Sequence, residues 1–218
     1  MKLTENLAEL MGILYGDGYM NHYSNGHYLI EIAGDQEKDL EYHKTFISGL
    51  VEELFFVKPK LILRKDQKTV ITRVSSKKIF LLLEELGMPK GKKIKLIVPL
   101  WIKNNSKFFL YFIRGIYDTD GSLILRKRRQ HSISLSLKNK EPILEIKEFL
   151  ENKGYFLSFV TEETYDKRGF NSTMFCLRIN RKKMINSFWK EVGSNNPYKI
   201  EKFKKMASMG SLGFEPRN

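Results

Sequence analysis

The sequence predicts an α+β protein of two pseudo-symmetric αββαββα repeats, each with antiparallel sheet, packed together through one apolar helix from each repeat. A short helical phrase occurs twice, as Leu10-Met11-Gly12-Ile13-Leu14-Tyr15-Gly16-Asp17-Gly18 and as Ile113-Arg114-Gly115-Ile116-Tyr117-Asp118-Thr119-Asp120-Gly121. Its last aspartates stand 103 residues apart (17 to 120), the length of a subdomain and not of a solenoid unit. A second block, Arg73-Val74-Ser75-Ser76-Lys77-Lys78-Ile79, returns at nearly the same offset as Arg178-Ile179-Asn180-Arg181-Lys182-Lys183-Met184.

Each element has a local reason. Leu7–Tyr15 and Phe108–Tyr117 are apolar almost all round, as buried helices are. His27–Ala33 and Ser132–Leu137 alternate as strands do, with Ile133, Leu135 and Leu137 on one face. Leu40, Ile47, Leu50 and Leu54 make one amphipathic stripe, and Ile143, Ile146 and Leu150 another, with Pro142 tolerated in the first turn. Hairpins follow: Lys60–Arg64 with Thr69–Ser75 around Lys65-Asp66-Gln67, and Tyr155–Thr164 with Ser172–Asn180 around Asp166-Lys167-Arg168-Gly169. Helices Lys77–Leu86 and Lys182–Val192 complete the repeats. The boundaries expected are residues 5–96 for the first repeat, 97–105 for an apolar linker, 106–206 for the second repeat and 207–218 for a disordered tail. Ser106 is the candidate cap of the second motif helix.

Composition narrows the class. Lys and Arg number 38 against 25 Asp and Glu, a net charge of +13, which points to nucleic acid or an anionic surface as partner. No apolar run approaches the roughly 20 residues of a membrane span, and Met1-Lys2-Leu3-Thr4-Glu5 lacks a signal-peptide core. Cys176 is the single cysteine, read as a small core residue of a strand, and a reducing compartment fits: cytoplasmic, nucleoid-associated when bound, or organellar. Pro89-Lys90-Gly91-Lys92-Lys93 lacks the spacing of a phosphate loop, the four histidines show no zinc spacing, and there is no Gly-x-Ser-x-Gly elbow.

The chemistry lies in the motif. Gly12 and Gly16 share a helical face, as do Gly115 and Thr119, and small residues at that interval let helix backbones approach closely. Gly18 and Gly121 suit the left-handed position past a helix end. Asp17 and Asp120 then occupy last turns, where the helix dipole disfavours a carboxylate by roughly 0.3–1 kcal/mol. Two such ends side by side repel further unless a cation lies between them. The hairpin tips differ in kind. Arg126, Lys127, Arg128 and Arg129 make one basic, whereas Asn21, His22, Tyr23, Asn25 and His27 make the other neutral and rich in hydrogen-bonding groups. A two-stranded ribbon of this kind fits the DNA major groove, where Arg and Asn read base edges. Arg64, Lys65, Arg73, Lys167, Arg168 and Arg178 join them as candidate DNA-binding residues.

On these two motifs and the repeated Arg-containing block, the chain resembles the LAGLIDADG homing endonucleases of the two-motif, single-chain kind, and the stretch Arg73–Phe80 is similar to archaeal intron-encoded members. The resemblance covers roughly residues 5–206. It implies sheets that form a DNA-binding saddle, and a monomer that cuts both strands of a long asymmetric double-stranded target with a short 3′ overhang. Asp17 and Asp120 would hold Mg²⁺, or another divalent cation such as Mn²⁺, with help from the backbone carbonyls of Gly16 and Thr119. It also implies a Lys or Gln that orders water near the end of each repeat's second strand. Lys138 fills that place in the second repeat, while the first offers Gly34-Asp35-Gln36, aligned on Gly34. An intron RNA maturase, with RNA as partner, or a non-cleaving DNA-binding regulator on the same fold are the alternatives. The presence of both aspartates favours the nuclease.

Overall fold

The computed structural model describes residues 2–125, 131–165 and 171–211. In chain order the first repeat runs α1 (Glu5–Gly16), β1 (Gly18–His22), β2 (Tyr28–Asp35), a π-helical turn (Tyr42–Ile47), α2 (Ser48–Phe55), β3 (Lys60–Arg64), β4 (Thr69–Val74) and α3 (Lys77–Glu85). A short helix, α4 (Leu100–Lys103), leads into the second repeat. That repeat comprises α5 (Ser106–Asp120), β5 (Gly121–Ile124), β6 (Ser132–Leu137), α6 (Lys140–Asn152), β7 (Ser158–Tyr165), β8 (Asn171–Ile179) and α7 (Lys182–Glu191). The last helix, α8 (Pro197–Ser211), runs past residue 206, so the boundary drawn there falls inside it.

Each repeat holds one antiparallel four-stranded sheet, of order β1-β2-β4-β3 and β5-β6-β8-β7. The registers match across the repeats. Gly18 pairs with Ile32, and Gly121 pairs with Leu135, the same offset of 103 that relates the aspartates. Alternation places Met20, Ile30, Ile32 and Val74 of one sheet, and Leu123, Ile133, Leu135 and Leu177 of the other, in one continuous core.

The motif helices form the axis of the molecule because glycine lets them touch. A Cβ on Gly12 would lie 2.9 Å from the Phe112 carbonyl carbon and 3.1 Å from Gly115 Cα; one on Gly115 would lie 2.7 Å from Ile13 N. Those neighbours are backbone, so no rotamer change relieves them. Thr4 caps α1 through Leu7 N at 3.2 Å. Tyr15 donates from its hydroxyl to the carbonyls of Gly87 (3.0 Å) and Ile97 (2.9 Å), which ties the inter-repeat segment to α1.

The structure corrects three local expectations. Asn105, not Ser106, caps α5, its Oδ1 accepting from Lys107 N (3.0 Å) and Phe108 N (3.2 Å). The stripe through Leu40 and Ile47 is not one regular helix, because its first part is the π-helical turn, burying Tyr42, His43 and Ile47. Gly18 and Gly121 are not left-handed; Gly121 is extended at φ −83° and ψ 156°. What they supply is space. A Cβ at Gly18 would lie 2.5 Å from Leu14 Cα, and one at Gly121 2.7 Å from Tyr117 Cα. Cys176 is buried in β8 as expected, but on the face away from Leu177 and Ile179, with its thiol 3.5 Å from Glu162 Oε2.

Candidate active site

The close approach of α1 and α5 continues to their C-terminal ends. A Cβ on Gly16 would lie 2.8 Å from Thr119 Cβ and would overlap the Asp120 carboxylate. Asp17 caps α1 and Asp120 is the last residue of α5, so the two carboxylates meet where both helix dipoles are negative. Burial, then the charge of Asp120, then that of Asp39, pushes the Asp17 carboxyl up to about 7. Burial likewise raises Asp120, against the pull of Lys93, Lys199 and Lys138. Asp120 Oδ2 is buried and has no hydrogen-bond partner. A buried carboxylate oxygen without a donor is costly unless something of opposite charge fills the place.

Two lysines that stand in no sequence motif, and that sequence reasoning therefore missed, complete the helix ends. Lys93 Nζ donates to the carbonyls of Leu14 (2.9 Å), Tyr15 (3.0 Å) and Gly16 (2.5 Å). Lys199 Nζ donates to those of Tyr117, Thr119 (3.3 Å) and Gly121 (2.7 Å). All but that of Gly121, the first residue of β5, are last-turn carbonyls of α1 and α5, which have no partner within their own helix. Burial pulls the Lys93 ammonium down to about 8, opposed by Asp120 and Asp17; Lys199 is lowered for the same reason, opposed by Asp118, Asp39, Asp120 and Asp17 in turn. The lysines stand at similar distances after their aspartates (17 to 93, 120 to 199), but no local pattern around them repeats.

The segment that carries each lysine is tied to the opposite repeat by an asparagine. Asn139, which follows β6, donates Nδ2 to Lys93 O at 3.1 Å and accepts from Leu96 N at 3.2 Å. Asn196, fully buried beside Lys199, donates Nδ2 to Asp39 Oδ1 at 2.8 Å. Asp118, the first aspartate of the second motif, is buried and accepts from Ser194 Oγ and from Asn195 N (2.8 Å). Asn195 also reaches Glu9 of α1 at 2.6 Å, so one loop stitches the two motif helices.

The predicted residues come together unevenly. Asp17, Asp120 and Lys138 line one cleft of about 620 Å³, with Tyr19, Lys93 and Asn139. The register sets Asp35 in the place that Lys138 holds in the second repeat. A side chain at Gly34 would displace His43, since its Cβ would meet His43 Nε2 at 2.5 Å. The two halves of the site therefore differ in charge, with Lys138 on one side and Asp35 and Asp39 on the other. Asn21 and His22 end β1, where His22 stacks on Tyr28 at 4.2 Å, and Tyr23, Asn25 and His27 form the turn beyond. Arg64 ends β3, Lys65 begins the following turn, and Arg73 and Arg178 lie mid-sheet in ion pairs with Glu31 and Glu162. Arg126, Lys127, Arg128, Arg129, Lys167 and Arg168 lie outside the described residues.

Lys93→Met is expected to lower the melting temperature by several degrees, because the part-buried carbonyls of Tyr15 and Gly16 lose their donor, and Leu14 keeps only the Asp17 N–H, at about 1–3 kcal/mol in all. A calorimetric scan of the metal-free protein checks it, and an unchanged midpoint would deny the ammonium its capping role.

Paired helices ending in carboxylates between two antiparallel sheets define a two-repeat LAGLIDADG architecture, and known proteins agree. Residues 108–193 match the family model of a LAGLIDADG-like domain. The crystal structure of the homing endonuclease I-DmoI in complex with DNA and Ca superposes with a TM-score of 0.57 at 21% identity, covering 95% of this chain and 97% of that one. The N-terminal LAGLIDADG domain of DUF199/WhiA superposes with a TM-score of 0.57 at 16% identity, covering 93% and 86%. A tRNA-splicing ligase RtcB of Pyrococcus furiosus is 30% identical over 209 residues, 87% of this chain and 20% of that protein. The chain spans about a fifth of the length of this curated relative and of two similar ligases. It thus has the fold of the single-chain, two-motif LAGLIDADG homing endonucleases, as its two motifs implied. No helix of the described residues is long and apolar enough to cross a membrane.

Proposed function

We propose that the chain is a site-specific DNA endonuclease that makes a divalent-metal-dependent double-strand break in a long asymmetric target. One observation carries the reading: two half-buried carboxylates, one with a buried and unpartnered oxygen, meet at paired helix ends inside a cleft lined by lysines. Among the described residues no cluster of three or more His, Cys, Asp or Glu makes an all-protein metal cage. The donor set fits Mg²⁺ or Mn²⁺ nonetheless, since Mg²⁺ is commonly held by one or two carboxylates and completed by water and phosphate oxygens. Asp17 and Asp120 would hold such a cation, with the carbonyls of Gly16 and Thr119; each of these already accepts from a lysine and keeps a second lone pair. A cation bound there supplies a Lewis acid for the phosphodiester and lowers the pKa of its water.

The chain's own groups do the rest. Lys138 lines the cleft, where it would orient water or balance negative charge developing on a bound phosphodiester. Lys93 and Lys199 hold the helix ends in register and temper the repulsion of the carboxylates. The sheet faces, with Arg73 and Arg178 at their centres, track the duplex, and the absence of a first-repeat counterpart to Lys138 makes the strand served by that half the slower one. Two motifs in one chain supply both half-sites, so the active species is a monomer.

Digestion of a random-sequence plasmid library in Mg²⁺, with sequencing of the ends, tests the reading. Linear product with ends clustered on one sequence, lost in EDTA, is expected; intact plasmid would overturn it. Intron RNA that displaces DNA at far lower concentration than the reverse would favour a maturase. Replacing Arg126, Lys127, Arg128 and Arg129 together by Ala should flatten the salt dependence of binding, by roughly 0.9 in the slope of log K against log salt for each phosphate no longer neutralised. An unchanged slope would make that hairpin tip a solvated loop.

A further inference from the structure

The sheet faces turned to the carboxylates carry matched rows of side chains. Tyr19 lines the cleft, and the strand register runs from it through Glu31 and Arg73 to Lys60. The corresponding row of the second sheet is Ser122, Ser134, Arg178 and Ser158. Arginine is the charged residue the two rows share, at Arg73 and Arg178, and each is held by a glutamate. Arg73 places both Nε (2.7 Å) and Nη2 (2.5 Å) on Oε1 of its row neighbour Glu31. In the second sheet that neighbour is Ser134, and Arg178 bonds through Nη2 to Glu162, which pairs with Met174 further along the ladder. Non-equivalent glutamates thus hold equivalent arginines.

Fold stability is a weak reason for these largely buried pairs, because the desolvation of two charges offsets most of their attraction. They also oppose simple affinity. A carboxylate on a face that meets phosphates repels them on every sequence, and a chain of net charge +13 has no need to spend arginines on glutamates if attraction is all that is required.

We propose that Glu31 and Glu162 are specificity-determining residues, each turning its arginine from phosphate toward base edges so that the two ion pairs each read one position of the duplex. The inference rests on the DNA reading above. A free guanidinium reaches the nearest phosphate, an interaction without sequence information. With its Nε–Nη2 edge on Glu31, Arg73 keeps Nη1 for an acceptor such as guanine O6 or N7, and Glu31 keeps its second oxygen for a donor such as cytosine N4. Off-target sequences leave that carboxylate unmatched beside the backbone, which is discrimination by repulsion.

Glu31→Gln and Glu162→Gln preserve size and remove charge. Wild type and both variants are incubated in metal-free buffer with a duplex pool of randomised sequence, the bound fraction is sequenced, and binding to the same pool is titrated with salt. Each variant is expected to bind the unselected pool more tightly, by roughly tenfold near 0.1 M salt, with a slope steeper by roughly 0.9 as one arginine gains a phosphate. Each should also lose the wild-type base preference at one position of its own half-site. Arg73→Ala should lose the same preference as Glu31→Gln without tightening. Unchanged preference profiles in both glutamine variants would overturn the inference and leave DNA binding standing. Failure of the wild type to bind the pool would overturn the DNA reading as well.

Discussion

Asp17→Asn and Asp120→Asn are each expected to abolish double-strand cleavage and, in the metal-free protein at neutral pH, to raise the melting temperature. The two effects have one cause. Asp17 ordinarily titrates at 3.8, and burial together with Asp120 and Asp39 moves it to about 7 in the folded chain. Between about pH 4 and pH 7 the folded state therefore keeps a proton that the unfolded state has released. The contribution of this carboxyl to stability is greatest below pH 4 and is lost as the pH rises toward 7. Asparagine carries no charge to desolvate or repel, so it removes that loss. Three units would correspond to about 4 kcal/mol; shared titration with Asp120 and the nearby lysines reduces this to roughly 1–3 kcal/mol, several degrees for a chain of this length. Scanning calorimetry from pH 4 to 8 reads it. Relative to the asparagine variants, wild type should lose stability across that interval. Cleavage falls for the opposite reason, because the carboxylate that costs stability is the one that would hold the cation. A variant both destabilised at pH 8 and fully active would refute both halves of this account.

Gly115→Val is expected to prevent folding at ordinary temperature. Its Cβ alone would lie 2.7 Å from Ile13 N and 3.0 Å from the carbonyl carbon of Gly12, both backbone atoms of a helix pinned on its other side by the first sheet's core. Relief requires the motif helices to separate, which opens the centre of the core and parts Asp17 from Asp120. Losses above about 4 kcal/mol come from this kind of overpacking. Gly49→Ala is the matched control. Gly49 lies in α2 with nothing within 4 Å of its added Cβ, so alanine should be neutral or stabilise by about 0.4–1 kcal/mol. Far-ultraviolet circular dichroism and urea titration distinguish the two, and a Gly115→Val protein with wild-type stability would mean that the helices do not meet as described.

The residues legible in the sequence are those whose role is written in local spacing. Asp17 and Asp120 were found because each closes a repeated helical phrase, and the strands because alternation and turn residues are short-range signals. Lys93 and Lys199 were not, since a lysine bonded to the carbonyls of a helix more than seventy residues earlier leaves no mark on its neighbours. Asn105 and Ser106 are both good caps by type, and only the helix start decides between them. Gly18 and Gly121 were recognised as necessary glycines for the wrong reason. Sequence suggests backbone freedom, whereas the structure shows that space beside Leu14 and Tyr117 is what they supply. Glu31 carries no motif at all, and its pairing with Arg73 appears only when strand register is known.

The central claim is that the carboxylates at the two motif-helix ends together form a divalent-cation site. Titration calorimetry of Mn²⁺ into the protein near pH 6.5, repeated in two buffers of different ionisation enthalpy, tests it directly. Burial and mutual repulsion hold both carboxyls up, so cation binding should release protons from the wild type, and the Asp17→Asn/Asp120→Asn double variant should show neither the binding heat nor the proton release. Equal Mn²⁺ affinity in the wild type and the double variant would contradict the account.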